Sequence, residues 1–428
     1  MKMKGISRTF SRAVLIVFLV LIVFNMGIGT SYAKKTTITF WHAANGEAMI
    51  ATMRKLIQQF EAKNKDIQVK YQGIPWAEDP HFKYQMAVVG GNLADVVSMG
   101  DPFEHVLAGA NALEPLDSYM SGSMKKDFPA SQIGRVTVNG KIIALPWYVT
   151  IRGLFYRKDL LKEAGVPEPT SSWTWEEFQK YAKMLTKDHN GDGIVDQYGF
   201  GTSGRYVSQY QPFLRQNDID FVDENKNIAT VTNLKAIEAL QFYIDLIRTH
   251  KVTPPGIATI DLQSIQKMFA EGKVAMFFDC EDTALSFARE PALANKFGIG
   301  LLPHKLTQAA YAGADVIAIS KKSPNKKAAW KFMEFILSEN NMAEYCKVTG
   351  FTPARESLLE NKMLQDPIRV GFMKQMKAGS YFYFKSSKSS AFTRIIRSEV
   401  QEAIEGKKSV QQVANNMQRQ LERELARK

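Results

Sequence analysis

The sequence contains few of the residues and motifs from which catalytic, metal or redox sites are built. Cys280 and Cys346 are the only cysteines among 428 residues. They could pair in an oxidising compartment, but we favour two buried free thiols. The motifs GxSxG, HExxH and CxxC are absent, and the six histidines are far apart in the sequence. We therefore expect that the protein is not an enzyme and that it binds no cofactor. A catalytic triad or a pair of glycosidase carboxylates is still an alternative, because such sites are defined by their geometry in space and not by spacing in the sequence.

Long apolar runs are also scarce, and the one that stands out lies near the N-terminus. Ala13–Phe24 is an unbroken apolar run that follows four basic residues. Ser31-Tyr32-Ala33 then places small residues at the two positions that signal peptidase reads. A permanent transmembrane helix needs about 20 apolar residues. We therefore predict a cleaved signal peptide over residues 1–33 and a periplasmic mature protein. The alternative is that this segment stays uncleaved and anchors the protein in the membrane. There is no cysteine near the cleavage point to which a lipid could be attached.

The mature chain is too long for one ordinary core and only moderately basic. The 395 residues that remain after residue 33 predict two lobes. Without the four cations of the signal peptide, 51 basic residues face 43 acidic ones. The basic residues are spread among acids instead of forming arms, so we expect no nucleic-acid partner.

The apolar residues alternate between strand and helix periods along the mature chain. The predicted strands are Ile38–Trp41, Ile67–Tyr71, Ala94–Met99, Leu154–Tyr156, Lys273–Phe278, Phe297–Leu301 and Val316–Ile319. The predicted helices are Met49–Phe60, Thr174–Leu185, Asn233–Arg248, Pro324–Leu337 and a C-terminal helix that Ser409 and Gln412 cap. This order of elements predicts an α/β protein with a largely parallel sheet.

One loop has the oxygen-rich spacing of a calcium site. Asp188, Asn190, Asp192 and Asp196 fit four ligand positions of a calcium-binding loop, and Gly193 fits its turn. Gly199 stands where a bidentate glutamate belongs. Because Asp, Asn and Gly also make tight turns, we favour a structural turn over a calcium site.

Aromatic residues recur beside polar residues, and we predict that they lie in loops that follow strands. They are Trp41, Trp76, Trp147, Tyr148, Tyr206, Tyr210 and the run 381–384. Aromatic rings cover the C–H face of a pyranose, while carboxylates and amides bind its hydroxyl groups. The polar neighbours are His42, Asn45, Asp101, Asp279 and Asp315. The alternative is that each aromatic residue fills a gap in the core, but the set as a whole favours a carbohydrate ligand.

Several segments in a fixed order carry a family resemblance. They include Ile38–His42, Leu93–Val97, Leu113–Asp117, Gly140–Pro146, Gly153–Tyr156, Trp173–Phe178, Asn190–Gly193, Gly272–Met276, Tyr311–Gly313, Ala328–Phe332 and Thr352–Arg355. With these segments the chain resembles the extracellular solute-binding proteins of ABC importers, in the sugar-specific group that includes maltose-binding protein.

The resemblance implies a type II periplasmic-binding-protein fold, in which two α/β lobes close around a ligand at a hinge. It places residues 34–148 and 297–352 in the N-terminal lobe, and 149–296 and 353–428 in the C-terminal lobe. It also implies that the protein is a monomer that captures a sugar or oligosaccharide and delivers it to membrane permease subunits.

Matched position by position, the resemblance implies a set of ligand-binding residues. They are His42, Asn45, Glu47, Trp76, Asp101, Trp147, Tyr148, Tyr206, Gly313, Asp315 and Arg355. One segment departs from the family: Asp279-Cys280-Glu281-Asp282 stands where relatives commonly have a turn ending in tryptophan. At this position Asp279 can accept hydrogen bonds from the hydroxyl groups of a sugar, but it cannot stack on the sugar ring. The alternatives that stay open are a secreted carbohydrate-active enzyme and a receptor for a sugar acid or sugar phosphate, which Arg152 or Arg355 could clamp.

Overall fold

The computed structural model describes residues 35–44, 46–224, 226–358, 361, 367–381, 384 and 386–427. The predicted signal peptide and Asn45 lie outside the described residues. Within those ranges, no helix is both long and apolar enough to cross a membrane. Cys280 and Cys346 are free thiols, and Cys346 is buried.

Fourteen strands and sixteen helices occur in the described part of the chain. The strands are β1 Thr36–Ala44, β2 Ile67–Pro75, β3 Val96–Gly100, β4 Thr137–Val138, β5 Lys141–Ile142, β6 Leu145–Ile151, β7 Gly153–Arg157, β8 Val222–Asp223, β9 Ile228–Ala229, β10 Met276–Asp279, β11 Phe297–Gly300, β12 Ala310–Ile319, β13 Thr352–Pro353 and β14 Ser380–Tyr381. The helices are α1 Gly46–Lys63, α2 Pro80–Gly90, α3 Phe103–Gly109, α4 Gly122–Lys126, α5 Ala130–Arg135, α6 Lys158–Glu163, α7 Trp175–Met184, α8 Gln211–Gln216, α9 Leu234–Arg248, α10 Leu262–Ala270, α11 Glu281–Ala288, α12 Lys326–Ile336, α13 Glu339–Thr349, α14 Pro367–Ala378, α15 Ser389–Ile404 and α16 Val410–Ala426.

A large mixed sheet organises what we call the first core. Its strand order is β13-β6-β12-β3-β1-β2, with β14 paired to β12. β1 is parallel to β2 and β3, whereas β12 is antiparallel to both β3 and β6. The helix between β1 and β2, α1, buries Met53, Leu56 and Phe60 among other apolar residues at helical spacing. These strand directions bring the ends of β1, β2, β3 and β6 and the start of β12 to one edge of the sheet.

A second core surrounds a smaller sheet of strand order β10-β7-β11. It contains Phe155, Phe277 and Phe297 and extends to the C-terminal helices α15 and α16. We expected Phe297 and the residues after it in the N-terminal lobe. This boundary is wrong, because β11 pairs with β7 and both Phe297 and Leu302 pack in the second core.

Three connections between the two cores can be followed from the described residues. β6 ends at Ile151 and β7 begins at Gly153, so Arg152 lies at the first crossing. β12 is the second crossing, because Ala312 packs in the second core and Ala314 in the first. The third connection leads from β13 to α14, where Arg369 donates hydrogen bonds back to the carbonyl oxygen of Gly350. The cores also touch where α3 packs on α15.

Most predicted elements are present, with ends shifted by a few residues. The C-terminal helix has the predicted capping box of Ser409 and Gln412. The prediction that Trp41, Trp147 and Tyr148 lie in loops after strands is wrong. β1 continues to Ala44, and β6 contains both Trp147 and Tyr148.

Candidate functional site

The antiparallel pairing of β12 with its two neighbours places three polar segments side by side. Asp315 pairs with Gly100 of β3 on one side and with Tyr148 of β6 on the other. Asp101 follows directly after β3, and its backbone N–H donates to the carbonyl oxygen of Ala314 at 2.9 Å. Ligands of open α/β sheets usually bind at such strand ends.

Asp315 is a buried carboxyl at the centre of this edge. It accepts a hydrogen bond from the Tyr148 hydroxyl group. Burial raises the pKa of Asp315 to about 7, the hydrogen bond from Tyr148 opposes that rise, and the charge of Asp282 adds to it. The Asp315 carboxyl group therefore changes its protonation state close to neutral pH.

Asp101 is held between the backbone and a buried arginine. Its Oδ1 accepts from the N–H of Ala314 at 3.0 Å, and its Oδ2 forms an ion pair with Arg135, at the end of α5. Both side chains are almost completely buried. The hydrogen bond from Ala314 and the ion pair with Arg135 together hold the Asp101 side chain in one orientation.

Trp76 lies over the glycine that ends β3. An added Cβ at Gly100 would come within 2.7 Å of the Trp76 ring, so only glycine permits this close approach. The ring also meets His81 edge-on, with 5.2 Å between centroids. Trp76 is only partly buried and can offer a flat face to a ligand.

The second core contributes a matching polar group at the end of β10. Asp279 forms an ion pair with Arg152 at 2.5 Å and accepts hydrogen bonds from Gln266 at 2.7 Å and Thr283 at 3.0 Å. Arg152 also donates to the sulfur of Cys280 at 3.1 Å. The Arg152 guanidinium lies 6.0 Å from the ring centroid of Tyr311 in β12.

These residues form one polar region between the cores, which we call the central cluster. It comprises Asp101, Arg135, Tyr148, Arg152, Asp279, Asp282 and Asp315. Tyr311 of β12 lies beside this cluster, since its ring centroid is 6.0 Å from the Arg152 guanidinium. The charge of Asp282 from the second core reaches Asp315 and Tyr148 in the first.

His42 and Trp147 lie in the core beneath this edge. Both are completely buried, with ring centroids 5.3 Å apart. His42 hydrogen-bonds through Nδ1 to the Tyr71 hydroxyl at 2.9 Å and through Nε2 to the Tyr345 hydroxyl at 3.1 Å. Burial lowers the pKa of His42 to about 3, so its ring is neutral at physiological pH.

The remaining predicted site residues lie apart from the central cluster or support it. Arg355 pairs with Asp127 at 2.7 Å and donates to the carbonyl oxygen of Leu337, which is a structural role. Tyr206 is 37% exposed and stands before a short 3-10 turn. Glu47 is exposed in the first turn of α1.

Gly313 stands where β12 passes between the cores. An added Cβ would lie 2.7 Å from the Tyr311 hydroxyl and 3.1 Å from Oγ1 of Thr150. Glycine at this position therefore keeps Tyr311 and Thr150 close to the chain.

Sequence reasoning missed four charged residues of this region: Glu104, Arg135, Glu281 and Asp282. Glu281 and Asp282 lie close to the predicted Asp279, but three acids within four residues gave no indication of which would be buried. Arg135 and Glu104 lie in short helices without a recognisable motif. Burial raises the pKa of Glu104 and of Glu281 to about 8.

In the calcium-like loop, the polar side chains accept hydrogen bonds from backbone N–H groups of the same loop. Asp188 accepts from the N–H groups of Gly191 at 2.7 Å and Gly193 at 2.8 Å, and Asp196 accepts from the N–H of His189. Asn190 and Asp192 accept from N–H groups two residues further on. This is the pattern of a tight turn. Within the described ranges, no group of three or more His, Cys, Asp or Glu residues is placed to hold a metal ion.

Comparison with known proteins gives matches over most of the chain. Residues 43–343 match the family model of bacterial extracellular solute-binding proteins. A putative binding protein of Brucella abortus is 26% identical over 69% of this chain and 71% of its own. An arabinooligosaccharide-binding protein of Halalkalibacterium halodurans is 24% identical over 79% and 76%. The solved structure of a maltose-bound T. maritima protein is 25% identical, has a TM-score of 0.80, and covers 90% of this chain and 99% of its own.

Proposed function

Because the chain belongs to the bacterial extracellular solute-binding proteins, we propose that it captures a sugar or oligosaccharide outside the cytoplasmic membrane and delivers it to an ABC importer. It has the two-lobed α/β fold of type II periplasmic binding proteins, as predicted. The observation that carries the proposal is the central cluster, in which oriented carboxylates from both cores lie beside aromatic rings.

The chemistry of the central cluster suits a polyhydroxylated ligand. Asp101 and Asp279 are held by ion pairs in fixed orientations, and their carboxylates accept hydrogen bonds from hydroxyl groups. Trp76 and Tyr311 supply aromatic faces next to them. We assign ligand contact to Trp76, Asp101, Tyr148, Asp279, Gly313 and Asp315. His42 and Trp147 support the site from beneath.

Binding works by closure of two lobes around the ligand. We assign residues 35–150 and 313–358 to one lobe and 151–312 and 367–427 to the other, following the two cores. The hinge then passes through Arg152 and Gly313. A ligand that contacts both lobes stabilises the closed form only by its greater affinity for that form. The closed form is the one presented to the permease, and the protein acts as a monomer whose residues 1–33 are removed on export.

In this proposal the protein releases its ligand chemically unchanged, because a receptor binds its ligand without catalysing a reaction. A carbohydrate-active enzyme is the second candidate, since the raised pKa values of Asp315 and Glu281 are also what a general acid needs. Incubation of the protein with labelled oligosaccharides distinguishes the two. Shorter products establish the enzyme, and intact oligosaccharides with measurable affinity establish the receptor.

The binding proposal is tested with a panel of sugars and two matched variants. A ligand at 100 times its dissociation constant stabilises the folded state by about 2.7 kcal/mol, which a thermal-shift screen detects. For the sugar found, Trp76→Ala is expected to weaken binding by about 10-fold or more, because a lost aromatic contact costs about 0.5–1.5 kcal/mol beyond its buried area. The control is Phe82→Ala in α2, where the ring is 60% exposed. Equal loss in both variants, or no stabilisation by any sugar, refutes the proposal.

A further inference from the structure

Two exposed residues, one from each lobe, touch where α3 packs on α15. Gly109 ends α3 of the first lobe, and Ser387 lies two residues before α15 of the second. A Cβ added at Gly109 would lie 2.7 Å from Cβ of Ser387 and 3.5 Å from its Oγ. Ordinary contact of a Cβ atom begins at 3.4 Å, so the lobes are as close here as a glycine permits.

The first-lobe side of this contact is anchored in the first core. Leu107 is 1% exposed, and its carbonyl oxygen accepts from the N–H of Ala112 at 2.9 Å. The carbonyl oxygen of Ala108 accepts from the N–H of Asn111 at 2.8 Å. These hydrogen bonds fold the chain back directly after α3 and hold Gly109 in place.

The second-lobe side is a turn that is held at both ends. The carbonyl oxygen of Ser386 accepts from the N–H of Ser389 at 3.0 Å, and its Oγ accepts from the N–H of Lys388 at 3.1 Å. Nζ of Lys388 donates to the carbonyl oxygen of Leu425, near the end of α16, at 3.0 Å. Because both sides are fixed to their own lobe, a larger residue at the contact is expected to displace the lobes and not the turn.

The contact is connected to the candidate site without belonging to it. α3 begins two residues after Asp101, and Gly109 lies about 9 Å further along the helix. Asp101 and Asp279 are the carboxylates that we propose to hold a sugar from opposite lobes. The distance between them depends on how far the lobes close, and the contact at Gly109 limits that closure.

We propose that the contact of Gly109 with Ser387 is the stop that sets how far the two lobes close on the sugar. This inference rests on the proposed function and assigns a positioning role to two residues outside the ligand site. A methyl group at position 109 fits only if the lobes separate by about 0.7 Å there, from 2.7 Å to 3.4 Å. Hydrogen bonds that reach one ligand from both lobes would then lengthen towards about 3.6 Å, at which distance they are lost.

A graded series of substitutions at Gly109 tests the stop. Maltose, maltotriose and arabinotriose are the probes in calorimetry, and small-angle scattering measures the radius of gyration of the ligand-free protein. Gly109→Ala is expected to weaken sugar binding by about 10-fold, because the closed form becomes overpacked at this point. Gly109→Trp is expected to abolish measurable binding and to increase the radius of gyration. Circular dichroism should stay unchanged in both variants, since position 109 is exposed.

Removal of the opposing side chain distinguishes a stop from a local defect in α3. In Ser387→Gly the nearest remaining atom of residue 387 is Cα, which lies 3.9 Å from the added Cβ. Gly109→Ala combined with Ser387→Gly is therefore expected to recover the wild-type affinity within about 2-fold. The control is Gly122→Ala in α4, an exposed position with no atom within 4 Å of the added Cβ, which should keep the wild-type affinity.

The outcomes separate this inference from the proposed function. If the wild-type protein binds a sugar and Gly109→Ala binds it equally well, the stop is refuted and a sugar receptor stands. Failure of the double variant to recover affinity refutes the stop in the same way. If the wild-type protein binds no sugar, the proposed function fails, and scattering still decides the stop: a radius of gyration of Gly109→Trp equal to that of the wild type overturns it.

Discussion

Glu104 is expected to make the folded protein less stable as the pH rises. Burial raises the pKa of Glu104 from 4.5 to about 8 in the folded state, whereas the unfolded chain leaves it near its ordinary value. Between these values the folded state holds a proton that the unfolded state has released. Its contribution to stability is therefore fully present below about pH 4.5 and is lost as the pH rises through 8.

The size of the effect follows from the pKa difference. A shift of about 3.5 units at about 1.4 kcal/mol per unit gives an upper bound of about 5 kcal/mol. Local rearrangement around the charged carboxylate reduces this, and we expect about 2–5 kcal/mol. Glu104→Gln has nearly the same shape but cannot ionise. Relative to wild type, the variant should gain that amount of stability between pH 5 and pH 9.

Urea denaturation at several pH values measures this gain. The quantity of interest is the difference in unfolding free energy between variant and wild type, which cancels the contributions of His42 and His81 at lower pH. Glu176→Gln, at an exposed position of α7, is the control and should show no change with pH. A Glu104→Gln difference that is the same at pH 5 and pH 9 would show that the carboxyl is not protonated in the folded state.

Three further predictions concern the ion pair, the glycine under Trp76 and the acidic loop. Arg135→Met should lower the unfolding free energy by about 3–5 kcal/mol in urea titrations, because it leaves Asp101 buried without its charge partner; a loss below 1 kcal/mol contradicts this. Gly100→Ala should displace the Trp76 ring and weaken sugar binding by about 10-fold in calorimetry, with little change in melting temperature. Calcium added after chelator treatment should leave the melting temperature unchanged, since the loop around Asp188 bonds to its own backbone; a rise with calcium shows a metal site.

The fold was largely predictable because the signals that determine it are local and periodic. α1 and α16 present apolar stripes at helical spacing, and α16 begins at a capping box that can be read directly from Ser409 and Gln412. The boundary at Phe297 was not predictable from periodicity. An apolar strand of four residues fits either sheet, and only its pairing with β7 places it in the second core.

The site was less predictable, because aromatic and acidic residues serve cores and clefts equally well. His42 and Trp147 have the composition expected of a sugar site, yet they fill the interior beside Tyr345. The structure places Asp101 directly after β3 and Asp315 within β12, side by side at one edge of the large sheet, and their contact with a ligand stays a prediction. Arg135 was not predicted because its partner Asp101 is distant in the sequence, and Glu104 was not predicted because its burial depends on how the helices pack.

The position of β12 has a consequence for biosynthesis. This strand lies in the middle of the large sheet, between β6 and β3, but its residues are translated roughly 200 positions after β3. An N-terminal fragment that has left the ribosome cannot complete its sheet, because the strand that joins its two halves has not been made. The large sheet is therefore completed only after β12 has been synthesised, whatever the order in which its other strands pair.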